Sequence, residues 1–245
     1  MKKNLKVVAV LTLCAALIMP STAFASSDSS TPQLISEKKV QLTVNSNGVS
    51  SLLSRAVNKE FTLRTYNDKG VTVYGFDVED PEYRQSAQEY INGLTGDPAS
   101  SYGEIQSFGI LLPGQSEYHN DTQYDGSAVS YAWKRNTADT WNNNFEGGQS
   151  SLWSGSGNAN YIVLNQGISI SGIAVTISWP PSVSGSGNSA SWQSQPVYSN
   201  VTGASFSGMT VSGTAFSCSF SENGDVYVGS RIYRPVTYIG FSYFS

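Results

Sequence analysis

Apolar and polar residues alternate in short runs along most of this chain, with small polar turn residues between them, which is the pattern of half-buried β-strands. The densest run, residues 161–179 (YIVLNQGISISGIAVTISW), reads as two strands joined at Asn165, Gln166 and Gly167. Val40, Leu42 and Val44 define an earlier strand, followed by a turn at residues 45–48. Val49, Leu52, Leu53, Ala56 and Val57 fall at helical spacing, which predicts a short helix there, with a strand as the rival. Residues 61–66 and 71–78 form a hairpin across Asn67, Asp68, Lys69 and Gly70.

The clearest helix runs over about residues 81–92. Asp80 stands at its cap, Pro81 at its first position and Glu82 in its first turn. Tyr83, Ala87, Tyr90, Ile91 and Leu94 share one face, and Gly93 supplies a stop. Residues 95–126 read as loop, broken by an apolar island at 108–112, and residues 113–126 hold the one plausible domain boundary.

Beyond it the pattern is β throughout. Val129, Tyr131 and Trp133 alternate, Pro180 and Pro181 stop the central pair, and residues 182–194 read as a flexible Gly/Ser segment. The apolar phase slips at Gly172 and again at Gly213, which predicts a β-bulge at each. Asn223-Gly224 is the favoured two-residue type I′ hairpin turn, so Phe220 is expected to face Tyr227 and Cys218 to face Gly229. Arg234-Pro235 leads into a last strand, residues 236–244.

The fold class expected is therefore all-β and antiparallel, a β-sandwich or jelly-roll-like arrangement, with one or two short helices in the N-terminal part. That part is placed at residues 36–112 and the C-terminal β-sandwich at 127–245, with one shared core or two left open.

The first 25 residues change the bookkeeping. Lys2, Lys3 and Lys6, an apolar stretch over residues 7–19, Pro20, and the small-x-small end at Ala23 and Ala25 make a secretory leader, followed by a disordered lead-in at 26–35. Cys14 would suit lipidation only if the residue before it were small, and it is Leu13. Removing three lysines and no acid moves the net charge from −4 to −7. An acidic chain without a basic stripe argues against nucleic acid and against electrostatic attraction to anionic membranes. Cys218 then stands alone, so no intramolecular disulfide can form, and its place between Phe216 and Phe220 marks a small buried hydrophobe. One histidine and one cysteine make zinc an unpromising cofactor; none is expected.

Candidate chemistry is sparse. All five tryptophans fall between residues 133 and 192. Trp133 and Trp179 continue strand phases and read as core. Trp141, Trp153 and Trp192 sit among Asn, Gln, Ser and Gly, where an indole face flanked by amides suits sugar recognition, against the plainer reading that such rings plug a core. The Ser/Thr-rich alternation of residues 202–221 has the grammar of a membrane-inserting strand, and equally of an ordinary half-buried one. Glu104 and Glu146, each beside an aromatic residue, are the acids a glycosidase would use, although no fixed motif surrounds them and the balance leans against an enzyme. His119 reads as part of a hydrated surface loop. In that loop Asp121, Gln123, Asp125 and Gly126 imitate the opening of a calcium site, but Ala132 stands where a bidentate Glu is required, leaving only a loose site at Asp121 and Asp125.

The sequence thus points to a secreted, bacterial-type extracellular binding protein whose expected partner is a polysaccharide or other cell-surface ligand, recognised through Trp141, Trp153 and Trp192. A membrane-active, oligomerising β-protein and a glycosidase-like hydrolase are the alternatives.

Overall fold

Alternation of apolar and polar residues becomes antiparallel sheet wherever the computed structural model describes the chain, at residues 31–46, 55–96, 116–138, 142–179, 184–186 and 188–242. The leader, Val49 to Leu53, the island at 108–112, Glu104, Trp141 and Pro180-Pro181 lie outside the described residues. Twelve strands and one helix follow in order: β1 (Gln33–Ser46), β2 (Arg55–Asp68), β3 (Val71–Asp77), α1 (Pro81–Thr95), β4 (Ser116–Asp125), β5 (Ala128–Ala138), β6 (Asn142–Trp153), β7 (Tyr161–Ser178), β8 (Ser184–Ser186), β9 (Ser189–Gln193), β10 (Val201–Val228), β11 (Arg231–Tyr233) and β12 (Val236–Ser242). The all-β antiparallel class expected from the sequence is what is found, with all twelve strands hydrogen-bonded into one continuous sheet.

The sheet is organised by β10, which runs for 28 residues and uses both of its edges. Its first five residues, 201–205, pair with β3 on one side and β6 on the other. Further along, β7 takes over the β3 edge from Thr210 onward, while β12 takes over the β6 edge at residues 217–223 and β11 at 226–228. The outer strands complete the order β1-β2-β3-β10-β6-β5-β4, and β9 and β8 extend from β7.

Between its halves β10 doubles back, so the part carrying β7 and β12 covers β5 and β6. Phe220 of β10 lies 5.1 Å from Phe145 of β6, Phe241 of β12 lies 5.5 Å from it, and the Gly224 amide donates to Ser130 Oγ at 3.1 Å. This inner cluster contains Ile162, Leu164, Ile168, Ile170, Ala204, Phe206, Met209 and Val226.

The opposite face of the first half is covered by α1, through Tyr83, Ala87 and Ile91 against Leu42, Phe61, Leu63, Phe76, Leu152 and Val201. The helix approaches closely because Gly203 lies beneath it, where a Cβ would stand 2.3 Å from Ile91 Cγ2. Asp80 does not cap the helix with its side chain, as expected from its position, because its carboxylate is engaged by Lys59. The helix also runs past Gly93 to Gly96, whose positive φ of 84° lets its N–H reach the carbonyls of Asn92 and Gly93. Arg84, buried in α1, donates to the carbonyls of Glu79, Trp153, Gly155 and Gly157 and to Asn158 Oδ1, fastening the loop after β6 to the helix.

Several local expectations are overturned, and for one reason: long-range pairing outweighs local turn signals. Asn165, Gln166 and Gly167 do not turn but lie within the unbroken β7, opposite Asn223, Glu222 and Ser221. Asn223-Gly224 is likewise internal to β10, and the hairpin turn falls instead at Gly229-Ser230, with Val228 opposite Arg231. Gly224 is a glycine because the covering layer needs it, since a Cβ there would lie 2.4 Å from Ser151 Cβ. Residues 189–193 of the supposed flexible segment form β9, paired to β7. The lead-in is strand from Gln33, and the loop before residue 126 is strand from Ser116, its polar sequence suiting an edge. Residues 55–57, the end of the expected short helix, belong to β2.

Other expectations hold. The β2–β3 hairpin turns at Lys69 and Gly70, both with positive φ (57° and 81°), and Gly213 (φ 97°) lies at the first of two register shifts between β10 and β7. Gly172 lies opposite Ala215, where the second shift begins. Cys218 is buried, and burial pushes its thiol well above the ordinary range.

If Gly224 is a packing glycine and not a turn glycine, Gly224→Ala should cost about 1–3 kcal/mol of stability by overpacking in urea denaturation. Gly229→Ala, where no atom stands within 4 Å of the added Cβ but φ is +59°, should cost only about 1 kcal/mol.

Candidate functional site

The doubling-back of β10 leaves an open side between β3 in one layer and β7 in the other, and residues 194–200 run along it. Ile162 and Val197 exchange two backbone hydrogen bonds of 2.9 Å, tying this segment to β7. On its other side the Gln195 amide donates to Asp68 Oδ2 at 3.0 Å, and the Ser199 hydroxyl engages the carbonyls of Phe76 and Val201. Gly75 permits the close approach of β3, since a Cβ there would meet Val197 Cγ1 at 2.9 Å.

Between the segment and the β2–β3 hairpin lies a cleft of about 460 Å³. Arg64, Tyr66, Asp68, Asp77, Val197 and Tyr198 are among its lining residues. Asp68 ends β2 beside the tight turn, is only 2% exposed, and leaves its second oxygen, Oδ1, without a hydrogen-bond partner. Burial pushes this carboxyl above its ordinary value of 3.8, a rise opposed by the Gln195 amide and by the charge of Lys69. Arg64 Nε donates to Glu37 at 3.3 Å, and its Nη2 stands 3.9 Å from Asp77. Tyr198 is 79% exposed at the rim, its ring 5.9 Å from Tyr161, which stacks on Tyr227 at 4.4 Å. A guanidinium, an exposed carboxylate and an exposed phenol ring are groups that hold vicinal hydroxyls.

The residues singled out by sequence are arranged differently. Trp153 and Trp192 are core, 5% and 4% exposed, so neither presents a face to a ligand. Trp153 packs 5.1 Å from Tyr233, and Trp192 lies in β9 with its indole N–H on the Asp68 carbonyl at 3.3 Å, supporting the cleft from beneath. Their small neighbours mark room for the ring, not a loop: a Cβ on Gly155 would lie 2.2 Å from Trp153 Cζ2. Glu146 is half-exposed, paired with Arg135, and not part of the cleft. His119 is on β4, not in a loop, with Nε2 2.7 Å from Glu117 and its ring 4.8 Å from Phe241. Asp121 accepts from the amides of Thr122 and Tyr238, and Asp125 from the amide of Arg234, so both fasten β4 to the C-terminal turn and strand. Among the described residues no group of three or more His, Cys, Asp or Glu side chains could hold a metal.

Sequence reasoning missed the cleft because its walls come from residues about 120 positions apart and no local motif spans them. The one visible signal was Tyr198, an aromatic residue in the polar stretch QPVYSN. Comparison with protein-family models, with curated proteins and with solved structures finds no match to this chain.

Because the folded state holds the Asp68 proton more tightly than the unfolded chain, the unfolded chain releases it first as pH rises. Stability should therefore fall as pH rises from 3.8 through the raised folded value. Asp68→Asn should remove that decline, so the variant gains relative to the parent across the window. Thermal unfolding of the two proteins from pH 3 upward is the measurement, and parallel curves would contradict the assignment.

Proposed function

We propose that this is an extracellular binding protein that takes a hydroxyl-rich ligand, of the carbohydrate or cell-wall polymer class, in the cleft between the β2–β3 hairpin and residues 194–200. The observation that carries the reading is the grouping of Arg64, Asp77 and the exposed Tyr198 ring around one open cleft. The rings of Tyr198, Tyr161 and Tyr227 extend the surface away from the cleft, as suits a chain of sugar units longer than the cleft itself. Secretion rests on the leader expected in residues 1–25.

A membrane-active role is the second reading, and one feature favours it. Residues 171–174 of β7 are exposed on both faces, Ile173 at 64%, and Phe216, at the register shift of β10 beside them, is exposed as well. The rest of the suspected membrane segment has its apolar side occupied, with Phe206, Met209, Val211, Cys218 and Phe220 in the core. Among the described residues no helix is long and apolar enough to cross a membrane. The hydrolase reading gains no support from Glu146, whose carboxylate is engaged by Arg135.

Co-sedimentation with insoluble peptidoglycan, chitin and cellulose, beside neutral liposomes, separates these readings. Pelleting with a polysaccharide, reduced at least tenfold in affinity by Tyr198→Ala (about 1.4 kcal/mol) with the fold intact, is the expected result. Pelleting with liposomes alone, or binding indifferent to Tyr198 and Arg64, would overturn the cleft assignment.

A further inference from the structure

The two layers enclose an amine and a carboxyl for which the binding role has no use. Lys134 of β5 is 0% exposed and Glu222 of β10 is 2% exposed, and Lys134 Nζ stands 2.5 Å from Glu222 Oε1. Apart from the Lys134 contact, neither Glu222 oxygen has a hydrogen-bond partner among the described residues. Lys134 Nζ also donates to its neighbour's carbonyl, Trp133 O, at 3.0 Å, and lies 5.0 Å and 5.5 Å from the ring centroids of Phe206 and Phe220. Gly147 opens the channel the lysine follows, since a Cβ there would lie 2.6 Å from Lys134 Cδ and 2.8 Å from Nζ. On the flanking strands His119 stands opposite Lys134 in register, hydrogen-bonded to the buried Glu117, and the buried Gln166 stands opposite Glu222.

A full ion pair in such dry surroundings costs several kcal/mol of desolvation per charge. Burial pulls the Lys134 ammonium down and pushes the Glu222 carboxyl up, each opposed by the partner's charge, so the dry site narrows the gap that a proton must cross to pass from the amine to the acid. An amine held in contact with a carboxyl group brings together the two partners of an amide, and well-oriented intramolecular reactions reach effective molarities of about 10⁵–10⁸ M.

We propose that Lys134 and Glu222 condense to an intramolecular amide that joins β5 to β10. The ammonium first passes one proton to the carboxylate. The Nζ lone pair then attacks Glu222 Cδ, the second amine proton goes to the departing hydroxyl, and the C–O bond breaks to release one water. The N–Cδ bond replaces it, with no oxidant, reductant or activating group consumed. The cross-link ties one layer of the sheet to the other in a chain whose single described cysteine, Cys218, has no disulfide partner.

Intact mass spectrometry of the full chain, with a chymotryptic map, tests this directly. The expected result is a protein lighter than its linear sequence by one water, with the peptides carrying Lys134 and Glu222 recovered as a single branched species. Lys134→Met should restore the linear mass, and Glu222→Gln should lose ammonia in place of water. The parent protein at its linear mass, with the two peptides separate, would overturn the proposal whether or not either variant folds.

Discussion

A β-strand has two hydrogen-bonding edges, and the architecture follows from β10 using both of them along most of its length. Its partners change, from β3 to β7 on one edge and from β6 to β12 and β11 on the other, while the strand itself continues. Register shifts at residues 206–209 and 212–217 lie along the stretch where the partners change, and such bulges bend a strand. The sheet can then fold over itself without a break in pairing. Two apolar clusters result, one under the helix and one between the layers.

The cleft is a by-product of that folding-over. Where one sheet becomes two layers, its side must be closed by something other than a strand in the main ladder, and residues 194–200 do this with one bridge to β7 and side-chain bonds to β2 and β3. Asp68 is buried where the segment crosses it, and the segment's Gln195 amide holds one of its two oxygens. The same doubling-back carries Glu222 over β5 and places it on Lys134. Cleft and buried pair thus share a structural origin and answer to separate tests.

Strand content, the β2–β3 hairpin, the helix α1 and the slip at Gly213 were legible in the sequence because each depends on residues within a few positions of one another. What was not legible depends on partners far away. Asn223-Gly224 has the local chemistry of a turn, yet both residues have strand partners in β7, and Gly224 is small because Ser151 of another strand approaches it. Trp153 and Trp192 were read as exposed because their neighbours are small and polar. Those neighbours are small because the rings, or another layer, fold over them. For the site, the sequence indicated an aromatic and polar surface but assigned it to tryptophans, while the exposed rings are tyrosines and the defining acid is fixed by a segment about 127 residues later.

The central claim is that β10 is one element serving both layers, and residue-level hydrogen exchange under native conditions tests it most directly. The account predicts that amides in residues 201–212 and 217–228 reach the same maximal protection and lose it together on global unfolding. Exchange of one half at a clearly lower opening free energy, with the other still protected, would mean two separately stable layers joined by a linker, and would contradict the account.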